Sequence, residues 1–190
     1  NSHHRVMVVE VMGRHAGWMT LEGGMAGGAH VILLPEKPFT IQDVCDTILE
    51  RKSRGKTYHM IAVSEGALLE NDEEADNMVL QNAERDSFGH VRLGGIGEKL
   101  AKIIQEKTGI ESRHVVLGHL QRGGRPCAFD RVITQRMGAK AIELIAEGKF
   151  GYLTALKGAE IVPVSIADAV GSLKIVPEHR IEEMEMFRGL

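Results

Sequence analysis

Three apolar runs of the sequence each end in polar side chains beside glycine. The first is followed by Met12-Gly13-Arg14, the second by Glu65-Gly66, and the third by residues 119–124, which include His119 and Arg122. Arginine binds phosphate through charge-assisted hydrogen bonds, a carboxylate accepts hydrogen bonds from hydroxyls, and histidine can donate to either. Glycines leave backbone N–H groups open to a ligand. The combination predicts a binding site for a sugar phosphate.

Taken singly, each of these side chains has a simpler explanation. An arginine after a strand is usually a surface charge, and a histidine beside a glycine turn is usually a hydrogen-bonded structural residue. The same kind of ending after three separate runs favours a site.

Strands and helices alternate in the predicted order of elements. This alternation is typical of an α/β fold, here a three-layer α-β-α arrangement with a mainly parallel sheet. Parallel strands have their carboxyl ends on one edge of the sheet, named here the carboxyl edge, so the polar endings are expected to converge there. The apolar run at residues 115–117 is predicted to be a buried part of its strand. The predicted strands are residues 5–11, 31–34, 60–64, 112–119, 152–158 and 161–164, and the predicted helices are residues 17–27, 41–54, 94–108, 129–147 and 177–187.

Two further arginines stand at the opposite ends of predicted strands. Arg5 opens the first strand and Arg113 opens the fourth. At about 3.3 Å per residue, Arg5 lies roughly 23 Å from Met12, and Arg113 lies roughly 20 Å from His119. Neither can reach the carboxyl edge of its own chain. If they bind the ligand, they bind it in another subunit, which a two-fold pair of subunits would make reciprocal.

Composition excludes several classes of partner. The net charge is −3, the pI is about 6.3 and aromatic residues make up 4% of the chain, so neither nucleic acid nor an anionic membrane is an expected partner. Cys45 and Cys127 are far apart and lack metal-ligand spacing, and no apolar run is long enough to span a membrane. We expect a cytoplasmic protein with reduced thiols.

The start of the chain and one acidic stretch carry separate expectations. The sequence begins at Asn1 and almost immediately enters a predicted strand, which indicates a fragment without its natural N-terminal part. Residues 70–76 contain five carboxylates and are predicted to be a solvated face or loop.

Two of the motifs resemble the signatures of a known family. Residues 9–14, Val-Glu-Val-Met-Gly-Arg, with Gly17 after them, are similar to the substrate motif of the 6-phosphofructokinases. Residues 116–124, Val-Leu-Gly-His-Leu-Gln-Arg-Gly-Gly, followed by Asp130-Arg131, are similar to the family's other signature. The resemblance is to the C-terminal half of the enzyme and runs from about Ser2 to Gly148, more weakly beyond.

The resemblance implies roles for individual residues. Arg5 and Arg113 match arginines that reach the sugar's phosphate across a subunit interface. Arg54 and Lys56 match basic positions of an effector site, whereas His30 stands where regulated bacterial members carry a glutamate. The positions that match residues holding fructose 6-phosphate are Met12, Gly13, Arg14, Glu65, His119 and Arg122, with Leu120 and Gln121 from the same motif.

The resemblance also implies what this chain does not contain. The family's Gly-Gly-Asp-Gly nucleotide loop and its Thr-Ile-Asp-Asn-Asp segment, which carries the catalytic base, are absent from the sequence. The implied reaction transfers a phosphoryl group from ATP or pyrophosphate to the 1-hydroxyl of fructose 6-phosphate in glycolysis, with Mg²⁺ held mainly by the other half. The family forms homodimers or homotetramers. We therefore expect no catalytic residue, no metal ligand and no kinase activity in this chain alone.

Domain boundaries and two alternatives follow from the same motifs. Residues 1–120 are predicted to form the fructose 6-phosphate domain, residues 121–170 to return to the missing nucleotide domain, and residues 171–190 to form a last helix.

A non-catalytic sugar-phosphate or effector-binding module is one alternative, and a different sugar-kinase fold is the other. A Gly-Gly-Asp-Gly loop upstream would identify an enzyme.

Overall fold

The computed structural model describes residues 4–70 and 95–190. The chain divides into two compact units, Asn1–Gln121 with Ile175–Leu190, and Arg122–Lys174. Apart from Glu70, the acidic stretch predicted to be a solvated loop lies outside the described residues. The elements are β1 (Val6–Val11), α1 (Trp18–Ala26), β2 (Val31–Leu33), α2 (Ile41–Ser53), β3 (His59–Ser64), α3 (Ile96–Thr108), β4 (Ser112–Val116), a 3-10 turn (Gly118–Arg122), α4 (Ala128–Ala146), β5 (Tyr152–Lys157), β6 (Glu160–Ser165), α5 (Ile166–Val170) and α6 (Glu178–Glu185).

The first unit is a parallel sheet between two layers of helices. Its four strands lie in the order β2-β3-β1-β4, and every neighbouring pair is parallel. Along each strand successive side chains face opposite sides of the sheet, so one strand contributes to two apolar clusters. One cluster joins α2 and α3 to the sheet through residues such as Val44, Ile104 and Ile61. The other joins α1 and α6 through Leu21, Ile32 and Ile181. The predicted three-layer α/β fold is confirmed.

A buried carboxylate connects β1 to the start of α3. Glu10 is only 2% exposed and accepts hydrogen bonds from the backbone N–H groups of Gly95, at 3.2 Å, and Gly97, at 2.8 Å. Gly95 precedes the helix with φ of 92°, a conformation that favours glycine, and makes no side-chain cap of its own. Glu10 therefore supplies the acceptor that the free N–H groups at a helix N-terminus require. The contact also holds the strand that leads directly into Met12.

The strand before His119 is shorter and more exposed than predicted. It ends at Val116, and His119 lies in the 3-10 turn that follows. Val115 is 41% exposed and Val116 is 49% exposed, so the prediction of a buried strand is wrong. The edge strand β2 is buried, so the edge position of β4 is not sufficient as a cause. The physical reason is helix coverage, because Val115 and Val116 belong to neither of the two apolar clusters that join the helices to the sheet.

The second unit consists of a helix and a hairpin. Strands β5 and β6 pair antiparallel from Tyr152↔Ser165 to Lys157↔Glu160, and the short helix α5, which was not predicted, follows directly. Several large apolar side chains of α4 are exposed, among them Phe129 at 65% and Ile142 at 66%. Across residues 4–70 and 95–190, none of the helices has the length and apolar character needed to cross a membrane.

A histidine of the first unit makes stability depend on pH. His30 is buried, its Nδ1 accepts a hydrogen bond from the Met60 N–H at 2.8 Å, and its carbonyl accepts one from Gly189. Burial first, and then the positive charges of Arg51 and His59, lower the pKa of His30 from 6.5 to about 4. The unfolded chain therefore binds the proton more readily, so stability present above pH 6.5 is lost as the pH falls towards 4.

We expect the free energy of unfolding to fall by on the order of 2–3 kcal/mol between pH 7 and pH 4.5 through this histidine. Urea unfolding at the two pH values measures the change. His30→Asn keeps an acceptor for Met60 and should flatten the slope, whereas the exposed His179→Asn should leave it as it is. Equal slopes for the two variants would contradict the assignment.

Candidate functional site

The polar endings lie at one edge of the sheet. Arg14 follows β1, Glu65 follows β3, and His119 lies in the turn after β4. Because β1 lies between β3 and β4 and all three are parallel, these residues emerge from neighbouring strands at the carboxyl edge. The two charged residues, Arg14 and Glu65, are partly exposed, and His119 is exposed. An anionic sugar could therefore meet a cation, a carboxylate and an imidazole along one surface.

Hydrogen bonds connect the carboxyl ends of β1 and β3. The Ser64 hydroxyl donates to the Gly13 carbonyl at 2.7 Å, and the Gly66 N–H donates to the same carbonyl at 3.0 Å. In the other direction, the Gly13 N–H donates to a Glu65 carboxylate oxygen at 3.4 Å. A side chain at Gly66 would place its Cβ 2.0 Å from the Arg14 carbonyl oxygen. The absence of a side chain at Gly66 therefore sets the spacing between the arginine and the glutamate.

Gln121 joins the turn after β4 to the exit of β1. Its Oε1 accepts from the Met12 N–H at 3.3 Å, while its Nε2 donates to the Gly118 carbonyl at 2.9 Å. Both the oxygen and the nitrogen of the Gln121 amide thus form hydrogen bonds within the protein. Substrate binding by Gln121 remains a prediction, and the contacts show a second task, holding the His119 turn against Met12.

The other residues of the motif are placed differently. Leu120 is 81% exposed in the 3-10 turn. Arg122 ends that turn, is exposed and is the first residue of the second unit.

The two strand-opening arginines lie at the opposite, amino edge of the sheet. Arg5 directly precedes β1, and Arg113 is the second residue of β4, in register with Met7. Glu111 contacts both, at 2.6 Å from Arg5 Nε and at 2.8 Å from Arg113 Nη2. These hydrogen bonds, that of Arg113 first, lower the pKa of the Glu111 carboxyl. Sequence reasoning missed Glu111, although its spacing of two residues from Arg113 is a signal, since alternate strand residues share a face.

The predicted effector residues lie near the same edge. Arg54 caps the end of α2 and pairs with Glu50. Lys56 lines a cavity of about 310 Å³ together with Lys52, His59 and Glu111. Burial, followed by the charge of Arg51, lowers the pKa of His59. No ligand role of Arg54 or Lys56 is established by this placement, and the effector site remains a prediction.

Metal binding finds no support in the described part of the chain. Within residues 4–70 and 95–190, no three side chains of His, Cys, Asp or Glu group closely enough to hold a metal ion. These described residues therefore offer no cluster that could hold Mg²⁺ by protein ligands alone.

Comparison with known proteins adds independent findings. A family model described as Phosphofructokinase matches residues 1–145. The chain is 52% identical over 188 residues to a pyrophosphate–fructose 6-phosphate 1-phosphotransferase of Amycolatopsis methanolica, covering 99% of this chain and 54% of that protein. It is 46% identical over 184 residues to ATP-dependent 6-phosphofructokinase 3 of Streptomyces coelicolor, covering 97% of this chain and 53% of that protein. The chain therefore spans about half the length of the curated relatives it matches.

Solved structures share the fold. The phosphofructokinase of Pichia pastoris in the T-state superimposes with a TM-score of 0.68 at 30% identity, over 100% of this chain and 20% of that one. A pyrophosphate-dependent phosphofructokinase of Marinobacter aquaeolei gives a TM-score of 0.71 at 26% identity, over 94% of this chain and 43% of that one.

Proposed function

The chain belongs to the phosphofructokinase family, and from this premise we propose that it forms the acceptor-substrate half of a 6-phosphofructokinase. The observation that carries the proposal is the placement of Arg14, Glu65 and His119 after three neighbouring parallel strands. These residue types match the needs of fructose 6-phosphate, which offers hydroxyls along its length and a phosphate at one end.

Each residue of the carboxyl edge has a proposed task. Arg14 donates charge-assisted hydrogen bonds to the substrate, Glu65 accepts from its hydroxyls, and His119 donates to a hydroxyl or to phosphate. Gln121 and Ser64 hold these residues in place through Met12 and Gly13. Because phosphoryl transfer depends chiefly on positioning, a rigid acceptor site is the contribution expected of this half.

The proposed reaction joins the substrate's 1-hydroxyl oxygen to the terminal phosphorus of the donor. The bond from that phosphorus to its bridging oxygen breaks, and ADP or phosphate leaves. The hydroxyl proton passes to a base that is not among the site residues of this chain. The phosphoryl donor is either ATP or pyrophosphate, since relatives of both types match the chain. Mg²⁺, held mainly outside this chain, would neutralise charge on the donor.

Two arginines are proposed to act across a subunit boundary. Arg5 and Arg113 lie at the amino edge, away from the carboxyl-edge site of their own chain. We propose that they bind the substrate's phosphate in a neighbouring subunit of a homodimer or homotetramer. The exposed apolar side chains of α4, such as Phe129, are proposed to pack against the nucleotide-binding part of the whole enzyme.

A variant of Arg14 tests the proposal. In the full-length protein, Arg14→Ala is expected to raise KM for fructose 6-phosphate about 10- to 100-fold, because one or two charge-assisted hydrogen bonds are lost. Formation of fructose 1,6-bisphosphate is measured with ATP and, separately, with pyrophosphate. Lys102→Ala removes an exposed positive charge from α3 and should leave KM within twofold, about the accuracy of such a comparison.

Three results would count against the proposal. An unchanged KM in Arg14→Ala would remove its central residue. Binding of fructose 6-phosphate by the full-length protein without turnover on either donor would favour the non-catalytic sugar-phosphate module. Turnover by the 190-residue chain on its own would refute the division of the enzyme into donor and acceptor halves.

A further inference from the structure

Glu111 occupies an unusual position between two arginines. One carboxylate oxygen, Oε2, accepts from Arg5 Nε at 2.6 Å. The other, Oε1, accepts from Arg113 Nε at 3.0 Å and from Arg113 Nη2 at 2.8 Å. Arg5 and Glu111 are 106 residues apart in sequence, so the arrangement depends on the pairing of β1 with β4. The Glu111 carboxylate therefore connects two arginines that are far apart in the sequence.

The three side chains are accessible to a ligand. The relative exposure of their side chains is 35% for Arg5, 43% for Glu111 and 61% for Arg113. Exposed ion pairs of this kind are weak, because water solvates each charge nearly as well as its partner does. A phosphate group offers three acceptor oxygens and up to two negative charges, so it binds paired guanidinium groups more strongly than a carboxylate does. An incoming phosphate would therefore displace Glu111 at modest cost.

We propose that Glu111 is a displaceable counter-ion that holds Arg5 and Arg113 together until a substrate phosphate from a neighbouring subunit takes its place. The proposal rests on the proposed function, since the arginines must first be phosphate ligands. The carboxylate keeps both guanidinium groups ordered and neutralised when no sugar is bound. The same carboxylate competes with the phosphate, so it weakens substrate binding.

Because Glu111 and the phosphate compete for the same arginines, removing the charge of Glu111 should tighten substrate binding. Glu111→Gln keeps the size of the side chain but removes the competing charge, and it is expected to tighten binding of fructose 6-phosphate about two- to tenfold. The dissociation constant is measured by titration calorimetry of the full-length protein at fixed ionic strength. Damage to the fold weakens binding, so a tighter complex cannot arise from a merely structural role.

Two further variants separate the possible causes. Glu106→Gln removes an exposed carboxylate from the same helix–strand region, on α3, and should change the dissociation constant by less than about twofold, since Arg5 and Arg113 pair with Glu111 and not with Glu106. Arg113→Ala should weaken binding about tenfold or more. Thermal melting of each variant confirms that the protein is folded before binding is compared.

Each outcome is decisive. Tighter binding in Glu111→Gln with weaker binding in Arg113→Ala supports the counter-ion. Unchanged or weaker binding in Glu111→Gln, with Arg113→Ala impaired, overturns the role of Glu111 and leaves the proposed function standing. If the Arg113→Ala protein binds fructose 6-phosphate normally, Arg113 is not a phosphate ligand and Glu111 is not its displaceable counter-ion. Equal tightening in Glu106→Gln would show a general charge effect and would also overturn the proposal.

Discussion

Replacing Gly66 by alanine is expected to disrupt the carboxyl edge, because the added methyl group overlaps the backbone of Arg14. The new Cβ would lie 2.0 Å from the carbonyl oxygen of Arg14 and 2.9 Å from its Cα. Both are backbone atoms, so no rotamer change relieves the overlap, and β1 and β3 must separate at their ends. Overpacking of this kind costs about 1–3 kcal/mol or more. A shift of roughly 1 Å at a substrate-positioning residue lowers activity on the order of 100-fold.

Urea unfolding and substrate kinetics measure the two effects of Gly66→Ala. Gly23→Ala is the matched control, because it adds the same methyl group on the helix α1, where nothing beyond its chain neighbours and the backbone of its own helix lies within 4 Å of the new Cβ. That change should be neutral or stabilise the protein by about 0.5–1 kcal/mol, since alanine favours a helix. Equal stability and equal kinetics for the two variants would contradict the close contact between Gly66 and Arg14.

The second large effect is expected at Glu10. Glu10→Ala removes the only side-chain acceptor found for the N–H groups of Gly95 and Gly97 among the described residues, and it leaves a cavity beside β1. A buried group deprived of its partner costs about 1–3 kcal/mol, and the lost packing adds to it, so we expect about 2–4 kcal/mol in total. The helix α3 packs against α2 and β1, which means that its loosening would spread through that layer of the first unit.

The measurement for Glu10 is chemical unfolding followed by circular dichroism. Glu10→Gln keeps the shape and one acceptor oxygen, so its loss should be about half as large. Glu98→Gln neutralises an exposed carboxylate in the first turn of α3 and should cost no more than about 0.3–1 kcal/mol, the usual effect of a charge near a helix end. A loss in Glu10→Ala no greater than that in Glu98→Gln would show that the helix start does not depend on the carboxylate.

Local patterns in the sequence were sufficient for most elements. The predicted helix at residues 41–54 is confirmed as Ile41–Ser53, and Thr40 Oγ1 accepts from the Asp43 N–H at 3.1 Å as its cap. The predicted strand at residues 60–64 is confirmed as His59–Ser64. Hydrophobic period and capping residues act over a few positions, so they can be recognised without knowledge of the fold. The polar endings at Arg14 and Glu65 were visible for the same reason.

Contacts between distant segments depended on the strand order, which no local pattern encodes. The exposure of Val115 follows from its place outside both apolar clusters, and the bridge from Glu111 to Arg5 follows from the pairing of β4 with β1. The helix start near Gly97 is capped by a side chain 87 residues earlier, at Glu10. Residue types and spacing were enough to identify the chemistry at each strand end. The partners of each charged group were set by folding, because only the assembled sheet brings β3, β1 and β4 side by side.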